Sequence, residues 1–152
     1  DFAPEGIDYH LAKGLGGQDV SSTYENIDGG GYGRVYDVPR QSFSEFCAHA
    51  AAEFRTERLL CYGRQGEIAR VASFCGAGID GGAVEAAKRG GADVIVSSDV
   101  KHNYICDILE SGMRLLIMTH YASENYGFKK IYQNLSHKLS IPVFYHEDLF
   151  ML

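Results

Sequence analysis

The alternation of apolar and polar positions along the chain predicts an α/β protein. Two short apolar runs, Val94–Val96 and Leu115–Met118, have the length of buried strands, and apolar residues recur at helical spacing between them, from Tyr104 to Leu109. A strand, a helix and a second strand in this order place the two strands parallel and adjacent. The stretch Ala92–Glu124 is therefore predicted to form the centre of a sheet.

The segment before this unit is predicted to contain a capped helix and two strands. Ser42 and Glu45 form a capping-box sequence, and a helical stripe of apolar residues follows as far as Phe54. Leu59–Tyr62 and Arg70–Cys75 have the composition of strands, and a turn-like sequence separates them. We therefore expect these two strands to form a hairpin.

From Arg70 onward, predicted strands and helices alternate to the end of the chain. A helical stripe over Phe128–Leu139 ends at Pro142, and Val143–Tyr145 has the pattern of a last short strand. We therefore expect residues 1–152 to form a single α/β domain, a layered sandwich in which helices cover a largely parallel sheet.

Composition limits the class of protein to which the chain can belong. The chain has 20 acidic and 14 basic residues with no pronounced Lys/Arg run, so we expect no nucleic-acid partner. No apolar run is long enough to span a membrane, so no membrane partner is expected. Four cysteines without a CxxC pair suit a reducing, cytoplasmic location. Cys61, Cys75 and Cys106 are interpreted as small buried hydrophobic residues.

Polar residues follow both strands of the central unit, at the edge where α/β sheets bind ligands. Asp99, Lys101 and His102 follow the first strand, and His120 and Glu124 follow the second. The His and Glu converge on one metal ion if their segment is helical, although a surface ion pair is the commoner reason for this spacing. Asp99 and Lys101 either form a plain ion pair or take part in catalysis. In the second case Asp99 orients His102 or acts as a general base, while Lys101 holds an anion.

A glycine motif at Gly76–Gly81 leaves further alternatives open. It matches G-x-G-x-x-G between a predicted strand and a predicted helix, and Asp99 follows the next strand, as in a dinucleotide-binding Rossmann unit. The glycines are also consistent with close packing of the helix on the strand. A third interpretation is that their amides bind a substrate phosphate at the helix N-terminus.

Five segments together resemble the family of Ngg-interacting factor three, also called the type two GTP cyclohydrolase I-like family. They are Asp1–Leu15, Gly31–Arg34, Arg70–Gly78, Gly91–His102 and Thr119–Glu124. The last is similar to the family's G-H-Y-x-x-E metal segment, and the fourth to its G-A-D-x-x-x-T-G-D-x-K-x-H segment, although its histidine comes one residue early. Each match is modest, but five in the same order are specific.

The resemblance implies a metal-dependent hydrolase-like protein. Asp1, His120 and Glu124 match three ligands of a site that, when complete, holds two divalent ions of zinc, iron or manganese. In such a site the ions would activate water and polarise the substrate. Asp99, His102 and Lys101 would be the catalytic residues, with Asp99 or His102 moving protons. The implied substrate is a small nucleotide or another phosphorylated molecule.

The resemblance also implies an assembly and identifies missing ligands. The family forms a toroidal homo-oligomer, a hexamer. The apolar segment Leu149–Leu152 is also expected to be buried, either against its own sheet or against a neighbouring copy. The chain contains no His-His pair, which supplies the remaining metal ligands in the family, so we expect a fragment without the family's N-terminal segment. Two other functions stay open. One is a non-enzymatic regulatory or scaffold protein of the same fold, and the other is a dinucleotide-binding oxidoreductase.

Overall fold

A six-stranded mixed sheet forms the framework of the protein. A computed structural model describes residues 1, 3–20, 23–27 and 30–152. The strands are β1 (Thr23–Ile27), β2 (Gly30–Ser42), β3 (Leu60–Tyr62), β4 (Glu67–Ser73), β5 (Val94–Ser97) and β6 (Arg114–Ile117). They lie in the order β1-β2-β4-β5-β6-β3. Pairs β4–β5 and β5–β6 are parallel, and the other three pairs are antiparallel.

Helices cover both faces of this sheet. They are α1 (Ile7–Gly14), α2 (Phe43–Glu53), α3 (Gly81–Arg89), α4 (His102–Glu110) and α5 (His120–Ser136). One core lies between the sheet and α1 and α2, with α5 packed beside α1, and a second core lies between the sheet and α3 and α4. Within the part of the chain that the structure describes, no helix combines the length and apolar character needed to cross a membrane.

Strand β5 shows how the apolar pattern sets this layering. Val94 and Val96 point into the core under α1 and α2, and Ile95 points into the core under α3 and α4. A strand buried on both faces needs a continuous apolar run, which this segment has. The predicted fold class is therefore confirmed: the chain is an α/β sandwich whose parallel strands occupy the middle of the sheet.

The predicted start of α2 is confirmed in atomic detail. The backbone N–H of Glu45 donates to Ser42 Oγ at 3.2 Å, and the backbone N–H of Ser42 donates to Glu45 Oε2 at 2.8 Å. This capping box fixes where the helix begins. As a result, Phe43 and Phe46 are fully buried against the sheet.

The predicted hairpin of Leu59–Tyr62 with Arg70–Cys75 is wrong. Strand β3 instead pairs antiparallel with β6 at the far edge of the sheet, with Cys61 opposite Leu116. The long strand β2 already pairs with one side of β4, and β5 pairs with the other, so no side of β4 remains for β3. Cys61, interpreted from the sequence as buried, is exposed on this edge strand.

The predicted last strand at Val143–Tyr145 is also wrong, because these residues form no regular structure. Since β3 occupies the outer side of β6, that edge offers no place for another strand. The preceding helix, α5, starts at His120, well before the predicted apolar stripe. Phe128 at 54% exposure and Leu135 at 45% show that this stripe does not face the core.

Candidate metal centre

The carboxyl ends of the three parallel strands meet at one edge of the sheet. Cys75 and Gly76 come just after β4, Asp99 follows β5, and His120 begins the helix that follows β6. Thr119 caps that helix, since its side chain accepts a hydrogen bond from the backbone N–H of Ala122 at 3.0 Å. Parallel pairing therefore places residues from distant parts of the sequence side by side.

A hydrogen-bond network around Gly76 joins these strand ends. The backbone N–H of Gly76 donates to Ser123 Oγ at 3.2 Å, and its carbonyl accepts from the backbone N–H of Ser98 at 3.2 Å. Ser98 Oγ donates to Ser123 Oγ at 2.9 Å, and Ser123 Oγ donates to the carbonyl of His120 at 2.8 Å. Ser123 thus uses its donor and two acceptor positions to hold α5 against the other two strands.

Gly76 also makes room for the functional side chains of α5. Its φ is 57°, and a Cβ at this position would lie 2.5 Å from Glu124 Oε1 and 3.0 Å from His120 Nε2. A side chain here would therefore be strained and would displace both groups. His120 and Glu124, four residues apart on one helical face, pack directly over this glycine.

His120 lies between two carboxylates. Its Nδ1 is 2.5 Å from Asp99 Oδ2, and its Nε2 is 3.0 Å from Glu124 Oε1. The hydrogen bond with Asp99 raises the pKa of His120 above its usual range, and Glu124 adds to the increase, whereas partial burial opposes it. Asp99 thus orients the imidazole ring, as a carboxylate does behind a metal-binding histidine.

A second group of potential ligands shares Glu124 with this pair. One ligand atom each from Asp1, Cys75 and Glu124 lies within 4.8 Å of the other two. The three predicted metal residues are therefore brought together, since Asp1 approaches Glu124 and His120 contacts it. The sequence did not indicate Cys75 as a ligand, but its position just after β4 matches the positions of Asp99 and His120 after their strands.

These donors suit a divalent ion of the transition series. Asp1, Cys75 and Glu124 offer two carboxylates and a thiol, and His120, in contact with Glu124, adds an imidazole. These are the ligand types of zinc and iron sites. Burial, together with the nearby carboxylates of Asp8 and Glu124, raises the pKa of the Cys75 thiol to about 12. The residues present therefore fit a metal ion, whose positive charge would offset the repulsion among these groups.

A buried ion pair supports the centre from behind. Arg34 Nε donates to Asp8 Oδ2 at 3.0 Å, and both side chains are almost fully buried. Burial raises the pKa of Asp8 to about 7, although the guanidinium of Arg34 opposes the increase. The pair ties α1, which follows Asp1, to β2. From the same strand, the hydroxyl of Tyr32 donates to the carbonyl of Cys75 at 2.6 Å.

Lys101 and His102, the other predicted catalytic residues, lie at the start of α4. Lys101 is the N-cap residue and His102 the first residue of the helix, and both are exposed. His102 Nε2 lies 3.7 Å from Cys106 Sγ. Among the residues that the structure describes, no hydrogen bond or ion pair joins Lys101 or His102 to His120 or Glu124. Of the predicted catalytic residues, Asp99 alone contacts the predicted metal ligands.

Close packing accounts for the first two glycines of the Gly76–Gly81 motif, Gly76 and Gly78. The hydroxyl of Tyr32 occupies the space that a Cβ on Gly78 would need. Asp80 caps α3, because its Oδ1 accepts from the backbone N–H of Ala83 at 2.8 Å. Its carboxylate thus occupies the helix start where a phosphate would bind, and Asp99 is engaged by His120. Both observations favour the packing interpretation over a dinucleotide site.

An acidic cleft of about 380 Å³ opens beside the centre. Its walls are formed by Asp1, Tyr24, Tyr32, Cys75, Ala77, Gly78, Ile79, Asp80 and Glu124. Three of these residues carry carboxylates, and none of these lining residues is Lys or Arg. A ligand in this cleft would contact both the aromatic wall and the potential metal ligands.

The chain resembles a known protein family over almost its whole length. A model of the Duf34/NIF3 (NGG1p interacting factor 3) family matches residues 1–148. No curated protein sequence matches the chain.

Solved structures with the same fold include two proteins that are considerably longer than this chain. Hypothetical protein SA1388 of Staphylococcus aureus is 22% identical with a TM-score of 0.77, and the match covers 93% of this chain and 61% of that one. Reduced HcgD of Methanocaldococcus jannaschii is 23% identical with a TM-score of 0.74, and the match covers 91% and 54%. The chain thus spans somewhat more than half the length of these structures.

The contact between Asp99 and His120 predicts a measurable change in the titration of the imidazole. In metal-free protein, NMR titration of His120 should give a pKa above the usual 6.5, and Asp99→Asn should lower it. Because the pKa is raised in the folded state, the stabilisation is fully present below the unfolded-state pKa and disappears as pH rises through the folded-state value. Asp107→Asn, which removes an exposed carboxylate from α4, is the control. Identical His120 titrations in all three proteins would contradict the contact.

Proposed function

The chain belongs to the Duf34/NIF3 (NGG1p interacting factor 3) family, and we propose that it is a metal-dependent, hydrolase-like protein resembling type two GTP cyclohydrolase I. The observation that carries the proposal is the convergence of Asp1, His120 and Glu124 at the ends of the parallel strands. These residues come from the beginning of the chain and from the first turns of α5. Core packing alone does not require them to meet.

We propose divalent zinc, iron or manganese as the bound ion, with two ions in a complete site. Bound there, the ions would supply Lewis-acid activation of water and of the substrate. Glu124 would be the shared ligand, because it lies within reach of both Asp1 and His120. Nδ1–H of His120 would donate a hydrogen bond to Asp99 Oδ2, which leaves Nε2 as the coordinating atom, on the side of Glu124.

The predicted catalytic residues take different parts in this proposal. Asp99 is a positioning residue, because it acts through His120. Lys101 and His102 are exposed at the start of α4, where they would contact a ligand that extends beyond the cleft. There His102 would move protons and Lys101 would bind an anionic group.

The proposed substrate is a small nucleotide or another phosphorylated molecule. The acidic cleft repels such an anion unless metal ions neutralise Asp1 and Glu124. The tyrosine side chains in its wall offer an aromatic surface to a planar group. Substrate binding is therefore expected to depend on metal, since the cleft has no basic side chain among the lining residues described.

We also propose that the protein forms a homo-oligomer, a toroidal hexamer. Several large apolar side chains after the middle of α5 are exposed, among them Ile141 at 66%, Phe144 at 91% and Phe150 at 86%. A second copy of the chain would remove this apolar surface from water. We also propose a cytoplasmic location. All four cysteines are free thiols, which suits a reducing compartment.

The metal proposal predicts that His120→Ala will reduce metal binding while the fold is retained. Loss of an imidazole ligand should weaken zinc binding by at least about tenfold, because even loss of a supporting outer-shell partner has an effect of that size. Elemental analysis after dialysis of full-length protein measures the bound metal. His137→Ala, at the C-cap of the same helix, should retain the parent's metal content. Equal metal content in all three proteins would contradict the site, and absence of metal from the parent would favour the scaffold function.

The ligand proposal predicts metal-dependent binding of phosphates. Calorimetric titration with GTP and with inorganic phosphate should give heat when zinc is bound and none when it is removed, because the empty cleft is acidic. In the zinc-bound protein, Lys101→Ala should weaken binding more than Lys130→Ala. Lys130, on α5, lies over the ring of Tyr126. Equal affinities in the two variants would contradict a role for Lys101.

The assembly proposal predicts a multimeric mass in solution. Light scattering should give a mass several times that of one chain, and Phe144→Asp should lower it, because a charge at the centre of an apolar contact is costly to bury. Leu60→Asp, which changes an exposed apolar residue on the edge strand β3, is the matched control and should leave the mass unchanged. A parent protein that remains monomeric at high concentration would contradict the assembly.

A further inference from the structure

We propose that Cys75 is a ligand of the metal centre and makes it selective for ions that prefer sulfur. The inference rests on the proposed metal-dependent function and adds a ligand to it. Its basis is geometric: the ligand atoms of Asp1, Cys75 and Glu124 are mutually within 4.8 Å. Ligand atoms bound to one zinc ion, with bonds of about 2.0–2.3 Å, lie roughly 3.3–3.8 Å apart. Modest rotation of the two carboxylates therefore brings all three ligands onto one ion.

The thiol is held in place by the peptide group between Cys75 and Gly76, which is hydrogen-bonded through both its carbonyl and its N–H. The carbonyl of Cys75 accepts a hydrogen bond from the hydroxyl of Tyr32 at 2.6 Å, and the next residue, Gly76, donates to Ser123 Oγ at 3.2 Å. Cys75 itself is only 2% exposed. By contrast, Asp1 is exposed and Glu124 partly so, which leaves their carboxylates free to adjust. The cysteine is therefore the fixed donor to which the two acids adapt.

A sulfur ligand changes which ions the centre prefers. Carboxylates alone suit magnesium, calcium or manganese, whereas a thiolate favours zinc, iron(II) or cobalt(II). Binding as a thiolate releases the thiol proton to solvent. With Cys75 included, Asp1, Cys75 and Glu124 offer one sulfur and two carboxylates, a ligand set that favours zinc over manganese. This choice of metal does not follow from the Asp1, His120 and Glu124 ligands alone.

Cobalt(II) provides a direct probe, because a thiolate ligand adds a sulfur-to-cobalt charge-transfer band in the near ultraviolet. Full-length protein titrated with cobalt(II) should show this band together with the weaker visible bands of the ion. Cys75→Ser should lose the near-ultraviolet band while keeping the visible bands, since the oxygen and nitrogen ligands remain. Cys47→Ser, a half-buried cysteine on α2, should retain both. With zinc and manganese supplied together, Cys75→Ser should reduce the bound zinc-to-manganese ratio by about tenfold or more.

The outcomes separate this inference from the function on which it rests. If the parent protein binds no cobalt, the proposed metal-dependent function is wrong, and the role of Cys75 is wrong with it. If the parent shows the visible bands without the near-ultraviolet band, the metal centre stands and Cys75 is not a ligand. That second result needs no variant, so it holds even if Cys75→Ser does not fold. A near-ultraviolet band that persists in folded Cys75→Ser would likewise overturn the inference.

Discussion

The missing side chain at Gly76 is the constraint on which the centre depends. At this residue the end of β4 passes so close to α5 that Glu124 Oε1 lies only 2.5 Å from the position that a Cβ would take. The same residue binds Ser123 through its N–H and Ser98 through its carbonyl, so it also sets the distance between the strand ends. Any side chain at Gly76 would therefore separate groups that must converge if they are to share an ion.

Charge is arranged around this contact in two layers. In the outer layer, Glu124 approaches both His120 and Asp1, and Asp99 supports the imidazole from the other side. In the inner layer, the buried pair of Asp8 and Arg34 holds α1 on the sheet. Without a bound cation, the negative charges of the outer layer have little positive charge to offset them. The inner layer contains its own guanidinium, so it serves as support rather than as a second binding site.

The sequence predicted those features that depend on local pattern. The β5–α4–β6 unit and the capped helix at Ser42 were confirmed, because helical spacing and capping are encoded within a few residues. The pairing of β3 and the absence of a strand at Val143–Tyr145 were not predicted correctly, because a strand's neighbour depends on which sheet edges are already occupied. Cys75 was interpreted as a core residue, since its approach to Asp1 and Glu124 appears only when three chain segments come together.

The position of β3 has a consequence for the order in which the chain can fold during synthesis. β1, β2 and β4 can pair in the order in which they emerge from the ribosome, but Leu60–Tyr62 has no partner until Arg114–Ile117 follows. Such a long-range antiparallel pairing forms late, because the intervening chain must first be ordered. The residues of α5 that belong to the centre emerge directly after β6. Closure of the sheet edge and assembly of the centre are therefore neighbouring events in the folding of a nascent chain.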